Sequence, residues 1–428
     1  MGGGIAGLVC ALYLQREGFR VTLIESSGRL GGQIKTTVHS FGDTQVPIEE
    51  GAEGYVARST LFPEIAKILG IKDRIVRQDL VTDNELSSDY KLTPLAPGMA
   101  AHKLGFQVRS EDKGKGIHSF CSGMIEVVDA IEDRLRSSTD SSACLPVQIL
   151  FNTTVCKVRD HGNSFLIHTK SVDQTLVSAP VLETDDYEEK LFGKDGEDDR
   201  LDLSSFSSVV FAIPPESIAN FFGFPEGSVP KRNYNSHVSV HLAFEVVGGE
   251  FAEEEGNELV PSASEQVEIK PATPKIPCSS FTLPPDMQLE WFGLRAVSCV
   301  NEKFPDRVKP TEKENRYSTL SLFRLYFRPT VEGMKDSDYL EISARLLKQV
   351  LGLDEPMGVG KVSRWSAALP EFPAGWSVEE FQKKVSRGNA CMQFAGSANY
   401  GAGLEVAASS GKRAAEEIVK AFRGSVTD

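Results

Sequence analysis

Long hydrophobic runs are missing from this sequence of 428 residues. A helix that crosses a membrane needs roughly twenty consecutive apolar residues, and no run approaches about eighteen. The composition, with 40% hydrophobic and 25% charged residues, is ordinary for a globular protein. The sequence therefore predicts no transmembrane helix, and its length is sufficient for two domains that each have a core.

Cysteine is also scarce, with seven residues scattered along the chain and no Cys-x-x-Cys pair. A disulfide framework or a zinc site would normally show closely spaced pairs. His237 and His241 share one face of a predicted strand, but they would lie roughly 13 Å apart and no third ligand is in view. We therefore expect reduced thiols in an intracellular protein and no metal site.

Positive charge is in deficit, since 46 Lys and Arg stand against 60 Asp and Glu, for a net charge of −14. This balance argues against a nucleic-acid partner, which requires a basic surface. Most of the excess lies in two segments: residues 183–202 hold ten acids and three bases, and residues 250–270 hold seven acids and one base. We expect residues 183–202 and 250–280 to form disordered acidic insertions.

Glycine is concentrated at the start of the chain, where Gly2, Gly4 and Gly7 form a Gly-x-Gly-x-x-Gly motif. Apolar residues at helical spacing follow, and the run Val21–Ile24 predicts a buried strand that ends at Glu25. Such glycines allow a tight turn and let the backbone approach a pyrophosphate, while the acid accepts from ribose hydroxyls. In this context the motif predicts a dinucleotide site; alone it would suit a structural turn.

A Rossmann unit begins with a strand ahead of the first glycine, yet only Met1 precedes Gly2. The expectation is either that the sequence is truncated or that the sheet has lost its central strand. Nothing stands ahead of the motif that could act as a signal or transit peptide.

Two further turns rich in small residues follow. Arg29 precedes the pair Gly31-Gly32, a loop that suits a place beside the pyrophosphate with the guanidinium neutralising charge, although a plain turn is the alternative. The segment Ile48–Tyr55 then takes a predicted strand into the turn Gly51-Ala52. Both turns strengthen the prediction of a nucleotide site.

The C-terminal region carries a second glycine-rich block. Cys391–Gly396 predicts a strand that runs into a turn, and Gly401–Val406 leads into a helix with small and apolar residues at helical spacing. A helix N-terminus opened by glycine can stabilise negative charge on a bound group. Two distant glycine blocks that suit the same kind of ligand carry more weight than either alone.

These blocks resemble the flavin-containing amine oxidase superfamily, in which a glycine fingerprint with an acidic strand end, an Arg-x-Gly-Gly loop and an acid-Gly-Ala turn occur in this order. Within it the chain is most similar to the protoporphyrinogen and coproporphyrinogen oxidases. The runs Ser208–Pro215 and Val362–Pro370 resemble further blocks of that family. The resemblance implies FAD rather than NAD as the cofactor.

The resemblance also implies which residues contact FAD. The turn Gly51-Ala52 would lie against the flavin ring, the backbone of Val155 against the adenine, and Trp365 beside the flavin. A simple turn, an ordinary buried valine and an aromatic core residue are the respective alternatives. The implied cofactor-binding residues are Gly2, Gly4, Ile5, Ala6, Gly7, Glu25, Arg29, Gly31, Gly32, Gly51, Ala52, Val155, Trp365, Gly396, Gly403, Leu404 and Val406.

The implied fold class is α/β, with a doubly wound, Rossmann-like FAD domain and an inserted α+β substrate domain. The FAD domain is expected to comprise residues 1–80, 117–216 and 388–428, and the substrate domain residues 81–116 and 217–387. Hydrophobic periodicity predicts helices at Leu61–Leu69 and Tyr339–Leu351 and a strand at Ser236–Phe244. Leu289–Phe292 is expected to continue a sheet.

The activity implied by the resemblance is hydride transfer from a porphyrinogen-type substrate to flavin N5, with O2 reoxidising the flavin. The alternatives are a flavin amine oxidase or carotenoid-type desaturase, and a non-catalytic or vestigial FAD-binding protein. No Ser/His/Asp triad or pair of catalytic carboxylates can be assigned, so the catalytic residues are unknown. The family places such enzymes in the cytoplasm, mitochondrion or plastid, where peripheral membrane contact is an option.

Three departures from the family favour the vestigial alternative, the first being the missing strand ahead of Gly2. Most of the helical segment that covers the substrate in the family is missing after Val108. No basic residue matches the one that holds a substrate propionate, and Arg77 and Lys91 are only nearby candidates. The sequence therefore does not identify the residues that would enclose and anchor the substrate.

Overall fold

The computed structural model describes residues 1–78, 83–96, 99–103, 116–137, 145–171, 202–225, 228–229, 232–247, 279–307, 311–313 and 316–424. The expected acidic insertions lie outside these residues, except for Asp202 and for positions 279 and 280, and so does the segment around Val108. Within the described ranges, no helix is both long enough and apolar enough to span a bilayer.

The helices are α1 Ile5–Arg16, α2 Leu61–Leu69, α3 Met99–Lys103, α4 Ile125–Arg136, α5 Pro215–Phe221, α6 Pro285–Glu290, α7 Val300–Lys303, α8 Asp336–Leu351, α9 Val378–Ser386, α10 Ser397–Tyr400 and α11 Leu404–Gly424. The strands are β1 Thr22–Ile24, β2 Thr36–Phe41, β3 Thr44–Glu49, β4 Tyr55–Val56, β5 Ile75–Arg77, β6 Asp83–Leu86, β7 Leu92–Pro94, β8 Ile117–Phe120, β9 Gln148–Leu150, β10 Thr153–Asp160, β11 Phe165–Ser171, β12 Asp202–Phe206, β13 Val209–Phe211, β14 Asn233–Val247, β15 Ser280–Thr282, β16 Leu294–Cys299, β17 Thr311–Lys313, β18 Arg316–Phe327, β19 Lys361–Glu371 and β20 Met392–Phe394.

A small parallel layer brings together strands from distant parts of the chain. β1 pairs with β9 and β13 pairs with β20, both in parallel. Met1 and Gly2 lie between the two pairs, because the Gly2 N–H donates to the Ile24 carbonyl at 2.8 Å and the Met1 amino group donates to the Val210 carbonyl at 2.8 Å. These two residues therefore occupy the end of the central strand position of a Rossmann layer.

Helix α1 lies on this layer and is buried on almost every side, with ten of its twelve residues buried. It packs closely against α11, since a Cβ added to Gly411 would stand 2.1 Å from the carbonyl oxygen of Ala6. Only glycine permits that approach. The first and last helices of the described chain are thus joined at their N-terminal halves, next to the glycine motifs.

A mixed sheet of eight strands forms the second layer, in the order β19-β14-β18-β16-β15-β6-β7 with β17 beside β18. One face is apolar and packs against α8 through residues such as Val240 and Leu325. The other face is polar, because the register places His241 opposite Arg324 and Ser239 opposite Tyr326. This polar face contacts the Gly51 turn, where Arg324 donates to the Gly51 carbonyl at 2.7 Å.

The sequence-based helix over Leu61–Leu69 is confirmed with the same bounds, and Gly70 ends it with a φ of +73°. The expected sheet segment Leu289–Phe292 is wrong. A helix occupies Pro285–Glu290 instead, and the next strand starts at Leu294. Proline at the first helical position favours a helix start, and that local signal outweighs a short apolar run.

The described core falls into several hydrophobic clusters. One joins α1, α2, α4 and α11, and another lies between the mixed sheet and α8. A third packs Phe381 of α9 against Phe394 and Val155, although the expected boundary at residue 387 assigns α9 to the substrate domain. The α/β fold class is confirmed, while the domain boundaries stay a prediction.

Candidate functional site

The N-terminal glycine motif and the Arg-x-Gly-Gly loop lie side by side. The Gly31 N–H donates to the Gly3 carbonyl at 2.9 Å, and Gly4 forms a parallel bridge with Gly31. The Glu25 carboxylate accepts from the Gly3 N–H at 2.6 Å, which fixes it beside the motif. The structure therefore brings the first two predicted segments and the acid at the end of β1 into one place.

Gly4 stands at the start of α1, where no side chain caps the helix. A Cβ added to Gly4 would have a single neighbour within 4 Å, the Cα of Gly32 at 3.9 Å. The first N–H groups of a helix lack intrahelical partners and bind anions well. This bare helix start, formed by Gly4, Ile5 and Ala6, fits a diphosphate group.

Gly7 has a different task from Gly4. A Cβ at position 7 would stand 1.9 Å from the Gly2 carbonyl oxygen and 3.5 Å from the Ala212 side chain. Gly2 itself has a φ of +91° and approaches the Ala212 carbonyl. These two glycines are required for packing of α1 against the parallel layer, and they set the position of the bare helix start.

Arg29 ties its own loop together. Its guanidinium donates to the carbonyls of Ile34 at 2.9 Å, Leu30 at 3.1 Å and Gly32 at 2.6 Å. Burial lowers the pKa of Arg29, which the charge of Glu25 partly offsets. In this arrangement Arg29 holds the glycine loop in shape, and its contact with a pyrophosphate stays a prediction.

The turn Gly51-Ala52 joins the same region. The Ala52 N–H donates to the Gln33 carbonyl at 2.9 Å, and a Cβ at Gly51 would stand 2.1 Å from that oxygen. Trp365 closes the other side, since its indole N–H donates to the Glu50 carbonyl at 2.8 Å. The turn therefore lies next to both the glycine loop and Trp365, and their contact with the flavin stays a prediction.

The C-terminal glycine block, from the opposite end of the chain, lies near the N-terminal glycine motif through Ala212. Gly396, at a φ of +98°, lies beside Ala212, and its N–H donates to the Ser410 hydroxyl at 2.9 Å. Gly403, at a φ of +119°, stands just before α11, with Leu404 buried and a Val406 methyl group 4.0 Å from its Cβ position. Ala212 thus adjoins both Gly2 and Gly396.

Val155 lies in β10, opposite Thr169 of β11, where the strand pairing becomes irregular. Its side chain is buried with Ile24 and Phe211 in a hydrophobic cluster. This burial agrees with the ordinary reading of a core valine. A contact between its backbone and adenine stays a prediction.

A buried cluster of charges lies behind the Gly51-Ala52 turn. Lys303 Nζ stands 2.8 Å from Glu53 Oε2, and the Tyr326 hydroxyl donates to the same oxygen at 3.2 Å. Burial alone would raise the pKa of Glu53, but the positive charges of Lys303 and Arg324 outweigh it and hold that pKa at about 2. Glu53 is therefore a permanent anion and is unsuited to act as a general base.

A second ion pair lies beside the first. Arg307 stands 3.3 Å from Glu49 Oε1 and also bonds the Ser119 hydroxyl. Burial raises the pKa of Glu49, against the lowering effect of Arg307. Burial and the charges of Arg324 and Arg295 lower the pKa of His237 to about 3, so this histidine is neutral at pH 7.

The arrangement fits FAD in this structure. A bare helix start, a nearby acid and three backbone turns lie in sequence from Gly4 to Gly51, and a glycine-opened helix start stands at Gly403. Residues 97–419 match the flavin containing amine oxidoreductases, and residues 1–68 match the NAD(P)-binding Rossmann-like domain. The chain belongs to the flavin-containing amine oxidoreductase family. Membership confirms the predicted superfamily and the FAD cofactor.

The curated relatives of this family member each match less than a third of it. An L-amino-acid oxidase of Siganus canaliculatus is 30% identical over 134 residues, which are 31% of this chain and 25% of that protein. A coproporphyrinogen III oxidase of Staphylococcus aureus is 35% identical over 105 residues, 23% of this chain and 20% of that protein. The chain thus spans about a quarter or less of the curated relatives it matches.

One solved structure is similar to this family member over nearly the whole chain. The protein from Exiguobacterium sp. 255-15, provisionally assigned as a protoporphyrinogen oxidase, has a TM-score of 0.64 and 15% sequence identity, over 97% of each chain. At that identity the likeness shows the fold alone. It confirms the α/β architecture with a Rossmann-like layer and a second sheet.

Sequence reasoning missed the buried cluster behind the Gly51-Ala52 turn, whose members include the charged Glu53, Lys303, Arg307 and Arg324 and the neutral Tyr326. The partners lie far apart in the chain, so no local spacing signals them. One signal was available: Arg324 and Tyr326 alternate on one face of β18, within the otherwise apolar run from Leu322 to Phe327. The nearby candidates Arg77 and Lys91 are exposed, and Lys91 pairs with Asp89 at 2.7 Å.

Glu405 connects the two halves of the site. Its carboxylate accepts from the backbone N–H groups of Arg58 and Ser59, both at 2.6 Å, and its side chain is buried at the start of α11. We expect Glu405→Ala to lower the free energy of unfolding by roughly 3 kcal/mol, because two N–H groups lose a charged acceptor. Denaturant unfolding measures the change. The exposed Glu416→Ala on the same helix is the control, and an equal loss in both variants would contradict the assignment.

Proposed function

We propose that this protein is an FAD-dependent oxidase that acts on a porphyrinogen-type substrate, with O2 as the electron acceptor. Bound FAD would supply the redox chemistry by accepting a hydride and passing electrons to O2. The chain supplies the binding surface, the orientation of the substrate and the charge around the flavin. A coproporphyrinogen III oxidase among the curated relatives supports this substrate class.

The charge balance beside the Gly51-Ala52 turn is the observation that carries the proposal. Lys303, Arg307 and Arg324 stand against Glu49 and Glu53, which leaves one positive charge in excess. In a buried setting such an excess favours a substrate that carries carboxylates and disfavours a substrate ammonium group. Porphyrinogens carry carboxylate side chains, whereas polyamines carry positive charge.

The residues of the polar sheet face act on the substrate through position and charge. Tyr326 is held protonated, because burial raises its pKa. Its ring lies 5.5 Å from that of His237, and the Glu53 carboxylate orients its hydroxyl. The neutral His237 and the fixed Tyr326 form an uncharged patch next to the cationic cluster, which suits a flat macrocycle with charged edges.

A second candidate is oxidation of an amino acid. The L-amino-acid oxidase relative favours it, and an amino acid also presents a carboxylate to the cationic cluster. A polyamine or a carotenoid fits the charge balance less well, since the first is cationic and the second is uncharged. A non-catalytic flavoprotein is the remaining alternative.

The test starts from purified protein loaded with FAD. An absorbance scan shows whether flavin is bound, and anaerobic additions of protoporphyrinogen, an L-amino acid and a polyamine show which compound bleaches it. The proposal predicts bleaching by the porphyrinogen and recovery of the flavin spectrum on admission of O2. Bleaching by the amino acid alone would establish the second candidate, and bound flavin that no compound bleaches would establish a non-catalytic protein.

The compartment and membrane contact are part of the same proposal. A porphyrinogen oxidase of this family would act in the cytoplasm, a mitochondrion or a plastid, with peripheral membrane contact that brings it to a poorly soluble substrate. Fractionation of cells that express the full chain, followed by a salt wash of the membrane fraction, tests both statements.

A further inference from the structure

Arg295 and Arg328 are two arginines of the eight-stranded sheet that lack an acid partner. Arg295 lies in β16 and Arg328 directly follows β18, and neither forms an ion pair with an Asp or Glu among the described residues. The cations of the buried cluster are engaged, because Lys303 and Arg307 each pair with a buried glutamate and Arg324 donates to a backbone carbonyl. Arg295 and Arg328 are therefore open to a carboxylate that comes from outside the chain.

A β-bulge sets the position of Arg295. Leu294 pairs with Phe327 and Ala296 pairs with Tyr326, so Arg295 is an extra residue in β16. A bulge makes two residues oppose one on the neighbouring strand, and it re-aims the extra side chain. Arg295 thus stands with Ala296 opposite Tyr326, at the side of the sheet that carries the polar residues.

The charges of Arg295 and Arg328 act on the same polar surface. Burial, and then the charges of Arg324 and Arg295, lower the pKa of His237. Burial and the charge of Arg328 lower the pKa of Arg295. Arg328 comes one residue after Phe327, which belongs to the apolar cluster, so alternation along the strand directs Arg328 to the polar side. The two arginines repel each other, and a bound anion would relieve that repulsion.

Arg295 is held in place but keeps donors free. Its Nη2 donates to the carbonyl of Lys103 in α3 at 2.9 Å, and Lys103 Nζ stands 2.5 Å from a carboxylate oxygen of Glu85 in β6. Within the described ranges no second acceptor contacts the guanidinium. A half-buried guanidinium that is already positioned and has a free edge is suited to bind a carboxylate through two hydrogen bonds.

The position of Arg295 indicates the size of the substrate. Trp365 lies in β19, and Arg295 lies three strands away in the order β19-β14-β18-β16. At the usual spacing of strands this separation is roughly 14 Å. The carboxylate of an amino acid is bonded directly to the carbon that is oxidised, so it cannot reach Arg295 while that carbon lies beside Trp365. A macrocycle with carboxylate side chains at its edge suits a distance of this order.

We propose that Arg295, with Arg328 beside it, binds a carboxylate at the far edge of the substrate while the carbon to be oxidised lies beside Trp365. This assignment rests on the proposed function and adds to it the groups that anchor the substrate. His237 and Tyr326, whose rings lie 5.5 Å apart, form the uncharged stretch between the two ends. The anchor is thus separate from the buried cluster, whose cations already have partners within the chain.

The test compares the binding of protoporphyrin with that of its dimethyl ester, which has the same macrocycle but no carboxylate. Quenching of tryptophan fluorescence in the FAD-loaded protein gives the Kd of each compound in the same detergent. The parent should bind the free acid more tightly than the ester. Arg295→Gln should raise the Kd of the acid about tenfold and leave that of the ester unchanged, because a hydrogen bond between charged groups is lost.

Two further variants serve as matched comparisons. Arg295→Lys should keep part of the preference for the acid, because lysine retains the charge but lacks the planar fork of donors. Arg423→Gln, which removes an exposed arginine at the end of α11, should keep all of it.

Equal affinity for acid and ester in the parent would overturn the proposal, and so would an undiminished preference in Arg295→Gln. A purely structural role of Arg295 would weaken the binding of both compounds equally, which would also overturn it. If thermal unfolding shows that Arg295→Gln does not fold, the exposed Arg328→Gln decides. The preference should then fall about threefold, and an unchanged preference would overturn the proposal.

The carboxylate anchor and the proposed function can fail separately. If porphyrinogen does not bleach the flavin while the preference for the acid depends on Arg295, the proposed function fails and the anchor stands. If porphyrinogen bleaches the flavin but no variant changes the preference, the anchor alone fails.

Discussion

Gly4→Thr should weaken flavin binding strongly while the apoprotein stays folded. At the N-cap of a helix, the position of Gly4, threonine is about as stabilising as glycine, and the φ of −71° at Gly4 is open to any residue. The added Cβ meets only Gly32 in the protein, but it projects where the diphosphate must approach. We expect the Kd for FAD to rise at least about 100-fold, or about 2.8 kcal/mol.

The measurement is a flavin fluorescence titration beside thermal unfolding of the apoprotein. Gly424→Thr is the matched control, because Gly424 has no neighbour within 4 Å at its Cβ position and lies at the far end of α11. The control should bind FAD as the parent does. If Gly4→Thr binds FAD normally, the start of α1 does not hold the diphosphate, whereas a collapse of apoprotein stability would show that Gly4 is needed for packing instead.

Glu53→Gln should be strongly destabilising. Glu53 and Lys303 are each only 9% exposed in their side chains. Removing one partner of a buried pair leaves the other charge uncompensated, which costs about 3 to 5 kcal/mol. Denaturant unfolding at pH 7 should show a decrease of that size in the free energy of unfolding. The variant also loses the carboxylate that accepts the Tyr326 hydrogen bond.

The pH dependence of the same variant has a definite sign. The pKa of Glu53 falls from 4.5 to about 2 on folding, so its contribution is complete above pH 4.5 and is lost as the pH falls towards 2. That contribution is about 3 kcal/mol. The difference in unfolding free energy between the parent and Glu53→Gln should therefore shrink below pH 4.5. A difference that is constant with pH would contradict the assignment.

Two controls separate this effect from general acid sensitivity. Asp89 also has a pKa of about 2, because Lys91 and Ser87 bond it, but it is fully exposed. Asp89→Asn should leave stability and its pH profile unchanged, since solvent screens an exposed pair. The double variant Glu53→Leu with Lys303→Met should recover most of the lost stability, because apolar residues of similar size can replace a buried ion pair.

The backbone arrangement of the glycine segments could be predicted from sequence because its physics is local. Gly2, Gly4 and Gly7 follow each other within one turn and its helix, and each spacing has a backbone reason. The structure separates their tasks, since Gly4 is open and Gly7 is packed against Gly2. Arg29 is less predictable. Its position suits a contact with a pyrophosphate, but in the structure its guanidinium donates to three carbonyls of its own loop.

The charged half could not be predicted in the same way. Glu53 and Lys303 are 250 positions apart and meet only because β18 and α7 pack over the Gly51 turn. No helical or strand periodicity specifies such a meeting. The segment Leu289–Phe292 failed for a related reason, as a short apolar run fits a strand or a helix equally well. A longer periodic segment such as Leu61–Leu69 leaves less choice between a helix and a strand.

A comparison of ADP and FAD binding in two glycine variants tests most directly whether both ends of the chain form one cofactor cradle. If the predicted contacts hold, ADP would reach only the N-terminal glycines, whereas FAD would extend to the turn at Gly51 and the start of α11. The account predicts that Gly4→Thr weakens the binding of both ligands and that Gly403→Ala weakens the binding of FAD alone. An unchanged ADP affinity then shows that Gly403→Ala is folded. Equal loss of ADP and FAD in Gly403→Ala, or loss of neither, would contradict it.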